Sequence, residues 1–135
     1  MNEEGNLDIK ATQEQGKVSV TVLHLSGNID VESYEKLIAE AEALKAAGTQ
    51  NLLLDLKEVP YISSSGLRAL NILFKAYKGD EKEEVLSKGL RDGTYKSPHI
   101  KLLSPSKTVM EGLKISGFDM FLEIHKNLKE AVNSF

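Results

Sequence analysis

Ser63, Ser64 and Ser65 stand in a row before Gly66 and an apolar run that begins at Leu67, and they follow Val59-Pro60-Tyr61-Ile62. Hydroxyls just ahead of a helix cap backbone N–H groups that the helix leaves without partners, stabilising it by about 1 kcal/mol. A serine can instead be a nucleophile, but Ser64 lacks the Gly-x-Ser-x-Gly elbow. Nothing in the sequence places His99 or His125 beside it, so serine hydrolysis is disfavoured.

Other chemistry is bounded in the same way. His24, His99 and His125 are isolated, with no helical or turn spacing and no acidic partner pattern, and read as strand or strand-end residues rather than metal ligands. The absence of cysteine excludes disulfides, thiol chemistry and cysteine-based zinc sites. No Gly-x-x-x-x-Gly-Lys-Ser/Thr motif exists, and Gly79, Gly89 and Gly93 sit in a charged stretch, which argues against an NTPase. Asp30, Asp55 and Glu58 are the carboxylates placed to converge on the serine turn; they suit caps and an acidic rim better than a hard-cation site. No catalytic residue, metal ligand or cofactor is assigned.

The elements that position the serines follow from periodicity. Asn51 to Lys57, with Leu52, Leu53, Leu54 and Leu56, reads as a strand covered on both faces. From Ser64 to about Lys78, Leu67, Leu70, Leu73, Phe74 and Tyr77 recur at three- and four-residue spacing, a helix with the serines at its N-terminus. Leu7 to Gln13 and Val18 to Leu25 alternate around Gln15-Gly16, a β-hairpin whose first strand is an edge and whose second, with Val18, Val20, Val22 and Leu25, lies deeper. Gly27 predicts a turn and Asp30 a helix cap, with Val31, Tyr34, Leu37, Ile38, Ala41 and Leu44 on one face of a helix closed by Gly48. Ile100, Leu102 and Leu103 form the next strand. Ser104-Pro105 then caps a helix carrying Val109, Met110 and Leu113 and ended by Gly117. Met120 to Ile124 reads as a last strand, and Leu128, Ala131, Val132 and Phe135 as the apolar face of a C-terminal helix. This alternation predicts an α/β fold, a mixed sheet with packed helices.

With 135 residues, 41% hydrophobic and 27% charged, the chain suits one domain spanning 1–135. A net charge of -3 gives no basic footprint for nucleic acid or an anionic membrane surface. The start, Met1 to Asn6, lacks the order of a signal peptide, and no apolar run approaches about 18 residues. The expectation is a soluble, cytoplasmic protein without direct membrane insertion.

The serine turn resembles the signature of STAS domains, the fold of bacterial anti-sigma factor antagonists, in which the turn reads Asp-Ser-Ser-Gly-Leu and the first serine is phosphorylated by a partner kinase. Carried across, that serine is Ser64, followed by Ser65, Gly66 and Leu67, with Ser63 in place of the aspartate. Ser63 is the secondary candidate acceptor. Gly27-Asn28-Ile29-Asp30 resembles the family's Gly-Glu-Leu-Asp turn, which implies that Asp30 lies near the serine. The order of elements after residue 98 is also similar to the family's. The segment 79–98 has no counterpart of that length and reads as an insertion; Val85, Leu86 and Leu90 predict a short amphipathic helix there, with solvated, partly disordered ends.

The resemblance implies a phosphorylation-controlled binding module. Unmodified, it sequesters a serine kinase/anti-sigma factor; phosphorylated, it releases it, and a serine phosphatase resets it. Asp30, Ser63, Ser64, Ser65, Gly66 and Arg68 are the implied partner-binding residues, and the implied oligomeric state is a monomer. The competing reading is a STAS scaffold subunit of a transporter or lipid-transport assembly, in which Ser64 only caps. A third places a small ligand or nucleotide at the Gly27 to Asp30 and Ser63 to Gly66 turns, at strand ends.

Overall fold

The computed structural model describes residues 6–79 and 82–135. Five strands form one mixed sheet in the order β1-β2-β3-β4-β5: β1 Asp8–Gln15, β2 Ser19–Ser26, β3 Leu52–Glu58, β4 Ile100–Leu103 and β5 Ile124–His125. β1 and β2 form the expected antiparallel hairpin, with β1 at the edge; every later pair is parallel. The helices are α1 Tyr34–Ala46, α2 Ser64–Ala76, α3 Glu83–Asp92, α4 Lys107–Ser116 and α5 Leu128–Asn133.

The leucine run of β3 is continuous because both of its faces are covered. Leu52, Leu54 and Leu56 join Leu23, Leu25, Ile100 and Leu102 on the face packed by Leu37 of α1, Leu70 and Leu73 of α2, and Val109 and Leu113 of α4. Leu53 points the other way, with Val20, Val22 and Leu103, against Ala131 and Val132 of α5 and Phe135. A fully buried leucine contributes about 1.5–3 kcal/mol relative to an exposed one, so this two-sided strand anchors the serine turn and α2 at its carboxyl end.

Several sequence expectations shift. Asp30 is not a helix cap: Ser33 holds that position and α1 begins at Tyr34. Val31 lies outside the helix and is 69% exposed. Val18 sits in the hairpin turn, exposed, rather than in the deeper strand. For α4 the cap is Ser106, whose Oγ accepts from the Val109 N–H at 3.2 Å, and Pro105 precedes it; Ser104 has a positive φ of 52° between β4 and this cap. Residues 118–120 form a 3-10 turn rather than a strand, because the N–H groups of Met120, Phe121 and Leu122 return to the carbonyls of Gly117 and Phe118. Only Ile124 and His125 are left to pair with β4.

The amphipathic helix expected in 79–98 is α3, with Leu86 buried and Val85 exposed. The entry expected to be solvated falls partly on Asp80 and Glu81, which lie outside the described residues. The exit is tied down: Ser97 is fully buried, its Oγ accepting from the N–H groups of His99 and Ile100, and Tyr95 packs edge-on against Phe74 at 5.9 Å.

Candidate functional site

Beyond the carboxyl ends of β2 and β3 the backbone pairing continues into the two turns. The Gly27 N–H donates to the Glu58 carbonyl at 3.0 Å, and Ile29 bridges Ile62 in parallel. The Ile29 N–H donates to Tyr61 (3.1 Å), and the Ser63 N–H to Ile29 (2.9 Å). The Asp30 turn is thereby held beside the serine turn. The family resemblance implied that neighbourhood, and the bridge accounts for it.

Gly66 makes the approach possible. A Cβ there would lie 2.5 Å from the Ile29 carbonyl oxygen and 2.6 Å from Ile62 Cγ1, so α2 presses its first turn on the Asp30 loop only because residue 66 has no side chain. Gly27 is fixed differently: its φ is +118°, and a Cβ would meet the Asn6 carbonyl at 2.5 Å.

The hydroxyls divide their work. Ser63 is the N-cap of α2, and its Oγ accepts from the Gly66 N–H at 3.2 Å. Ser64 is the first helical residue and is exposed; among the described residues its hydroxyl makes no hydrogen bond. Ser65 is half-buried and Gly66 fully buried, so the glycine acts through its backbone. Arg68 lies one turn along from Ser64, exposed and without an ion pair among the described residues. It borders a shallow groove between α1 and α2 whose other wall includes Tyr34, Glu35 and Glu42.

Asp30 is half-buried in a small network of its own. Its Oδ1 accepts from the Glu32 N–H at 3.1 Å and lies 3.2 Å from the Ser33 Oγ, while its carbonyl takes the Tyr34 N–H at 2.8 Å. The buried Ser33 hydroxyl donates to the Asn28 carbonyl at 2.7 Å. This aspartate shapes the loop and starts α1 through its backbone, with its carboxylate fixed locally. Two apolar residues that sequence reasoning did not assign to the site flank it: Val31, and Tyr61 at 49% exposure. The only available signal was position, since each sits within three residues of a named site residue.

Asp55 does not join the turn. Its Oδ2 meets His24 Nδ1 at 2.9 Å, and His24 Nε2 meets Thr12 Oγ1 at 2.9 Å, a cross-strand chain on the face away from α2. His125 also has an acid, Glu123, at 2.9 Å. The expectation that the histidines lack acidic partners is thus corrected for two of three: sheet register supplies one partner across the strands, and a two-residue spacing supplies the other. Among the described residues no three of His, Cys, Asp and Glu gather as a metal site, and no helix is long and apolar enough to cross a membrane.

No functionally curated protein sequence matches this chain. Among solved structures it is similar to an anti-sigma factor antagonist from Mycobacterium paratuberculosis: 17% identity, 96% of this chain and 93% of that one covered, TM-score 0.72. It is also similar to the Bacillus cell fate determinant SpoIIAA in its phosphorylated form, at 16% identity, 93% and 97% coverage and TM-score 0.61. Against the anti-sigma factor antagonist SpoIIAA in its unphosphorylated form the values are 14%, 92% and 93%, and 0.58. These likenesses establish the fold. The sequence model of the STAS domain matches residues 10–89, a stretch that includes both turns, β3 and all of α2. More than half of the chain is covered by that match, and the protein belongs to the STAS domain family.

Proposed function

We propose that the protein is an anti-sigma factor antagonist that works by partner switching: unmodified, it sequesters an anti-sigma factor/serine kinase; phosphorylated on Ser64, it lets go. One observation carries this reading. Ser63 caps α2, so Ser64 presents a free, exposed hydroxyl at the helix N-terminus beside the Asp30 turn. In a chain where Ser64 served only as a cap, that hydroxyl would be engaged.

A phosphoryl group adds about -1.5 to -2 charges, which the positive end of α2 tolerates, so the fold survives modification. Arg68 is at the i+4 position, the helical spacing at which opposite charges meet, so the phosphate also draws away the cation that the unmodified face offers a partner. Against a partner carboxylate about 6 Å away at an effective dielectric of about 20, each unit charge repels by roughly 3 kcal/mol before salt screening. A tenfold affinity change needs about 1.4 kcal/mol, so even half of that repulsion releases a partner. Val31 and Tyr61 supply apolar contact area around the switch. The kinase brings the nucleotide and a phosphatase resets the serine; this chain contributes the acceptor hydroxyl.

The test is calorimetric binding to the serine kinase/anti-sigma factor of the same cells. Wild type and Ser64→Ala should bind alike, and Ser64→Glu should bind at least about tenfold more weakly. Equal binding by all three would contradict the switch.

A further inference from the structure

The far end of α2 carries a second feature, unconnected with the serine turn. Phe74 lies ten residues beyond Ser64, about 15 Å along the helix at 1.5 Å per residue. There α2, α3 and the stretch after α4 enclose a cleft of about 310 Å3, at the lower end of the roughly 300–1,000 Å3 range of small-molecule sites. Its floor is aromatic: Phe74 meets Tyr95 edge-on at 5.9 Å and Phe121 at 4.7 Å. Leu90 and Met120 also line it and stay 38% and 55% exposed, apolar side chains that the domain's own core does not cover.

The charge that lines this cleft is positive. Lys75 lines it, and among the described lining residues there is no acid. Lys75 makes no salt bridge among the described residues; Glu83 on α3 is paired with Lys78 at 2.7 Å and feels the Lys75 charge only more weakly. Asn71 adds an amide able to donate, and Gly89, Gly93 and Gly117 keep the walls free of side chains. An aromatic floor, flexible apolar sides and one lining cation match a compact body bearing a single negative charge.

We infer that this cleft binds a small carboxylate with an aromatic or short alkyl body, the ring or chain lying on Phe74 and Phe121 and the carboxylate facing Lys75. The site depends on α3 and Tyr95, and it stands or falls independently of phosphorylation at Ser64.

The experiment is a two-dimensional amide NMR titration of the full chain with 4-phenylbutanoate and, separately, with the uncharged 4-phenylbutan-1-ol. Saturable shifts are expected at Gly89, Gly93 and Gly117, with the carboxylate binding about tenfold more tightly than the alcohol. Lys75→Gln should bring the two probes within about twofold, and Leu90→Glu, at a partly exposed position, should weaken the carboxylate at least tenfold while the rest of the spectrum stays put. If Leu90→Glu disturbs the fold, Asn71→Trp, which fills the cleft from α2, replaces it with the same expectation. Absence of saturation at millimolar probe, shifts centred elsewhere, or an equal affinity for both probes in the wild type would overturn the assignment.

Discussion

Ser63 and Ser64 are adjacent, yet one is committed and the other free. Ser63→Ala should lower stability by about 1 kcal/mol, the usual worth of an N-cap, while Ser64→Ala should stay within about 0.5 kcal/mol of wild type; urea unfolding of the two variants checks both. Sequence reading found the cluster but could not say which hydroxyl caps, because a one-residue change in where the helix starts passes the role from one serine to the next. The structure fixes the start at Ser64, and the cap goes to Ser63. Asp30 erred for the same reason, with Ser33 at the cap position three residues later. The His24 and Asp55 contact was beyond reach, since partners 31 residues apart meet only once the register of β2 on β3 is known.

At the scale of elements, the strong periodic signals held. β3, α2 and the hairpin were legible because burial imposes alternation or helical spacing on them. The segment after Gly117 was not, since Met120 to Ile124 is apolar enough for a strand while local N–H groups close a 3-10 turn instead. The contact between the first turn of α2 and the Asp30 loop yields a sharp prediction. Gly66→Ala forces a methyl against the Ile29 carbonyl and Ile62 and should cost about 1–3 kcal/mol. It should also raise amide exchange at Ser63 and Ile29, whereas an alanine that merely favoured the helix would leave those amides protected. α1 and α2 are joined by the Tyr77 hydroxyl, which donates to the Ala41 carbonyl at 2.7 Å. Burial pushes this phenol from 10.0 up to about 12. The folded state therefore favours the neutral phenol: its contribution is complete below pH 10 and is lost as pH rises toward 12. Tyr77→Phe should cost about 1 kcal/mol at neutral pH and flatten this alkaline limb in urea unfolding followed against pH.

For the whole molecule, the second face of the sheet is closed by α5 and by Lys101, which is 2% exposed. Its ammonium donates to the Ser134 carbonyl at 2.8 Å, meets Glu123 at 3.1 Å and lies 4.8 Å from the Phe135 ring centroid. Burial alone would raise the Glu123 carboxyl, but hydrogen bonds and charge from His125 and Lys101 outweigh it, leaving the group below its ordinary 4.5. A depressed carboxylate stabilises the fold above its unfolded value and loses that contribution as pH falls through the folded one. Glu123→Gln should therefore weaken the dependence of thermal unfolding on pH below about 4.5. The α/β class and the family were legible from two turns and the order of elements. The cleft that α3 builds with two other parts of the chain was not, because a cavity is a property of packing and leaves no spacing in the sequence.

The central claim, that Ser64 is a switch, is tested most directly by intact-mass and peptide mass spectrometry of the protein isolated from its own cells, alongside a Ser64→Ala form. Phosphate on the peptide containing Ser63 to Gly66 that disappears in Ser64→Ala is the predicted result. A peptide that stays unmodified through growth and stress, in a protein that co-purifies with a membrane transporter, would contradict the switch and assign the domain to scaffolding.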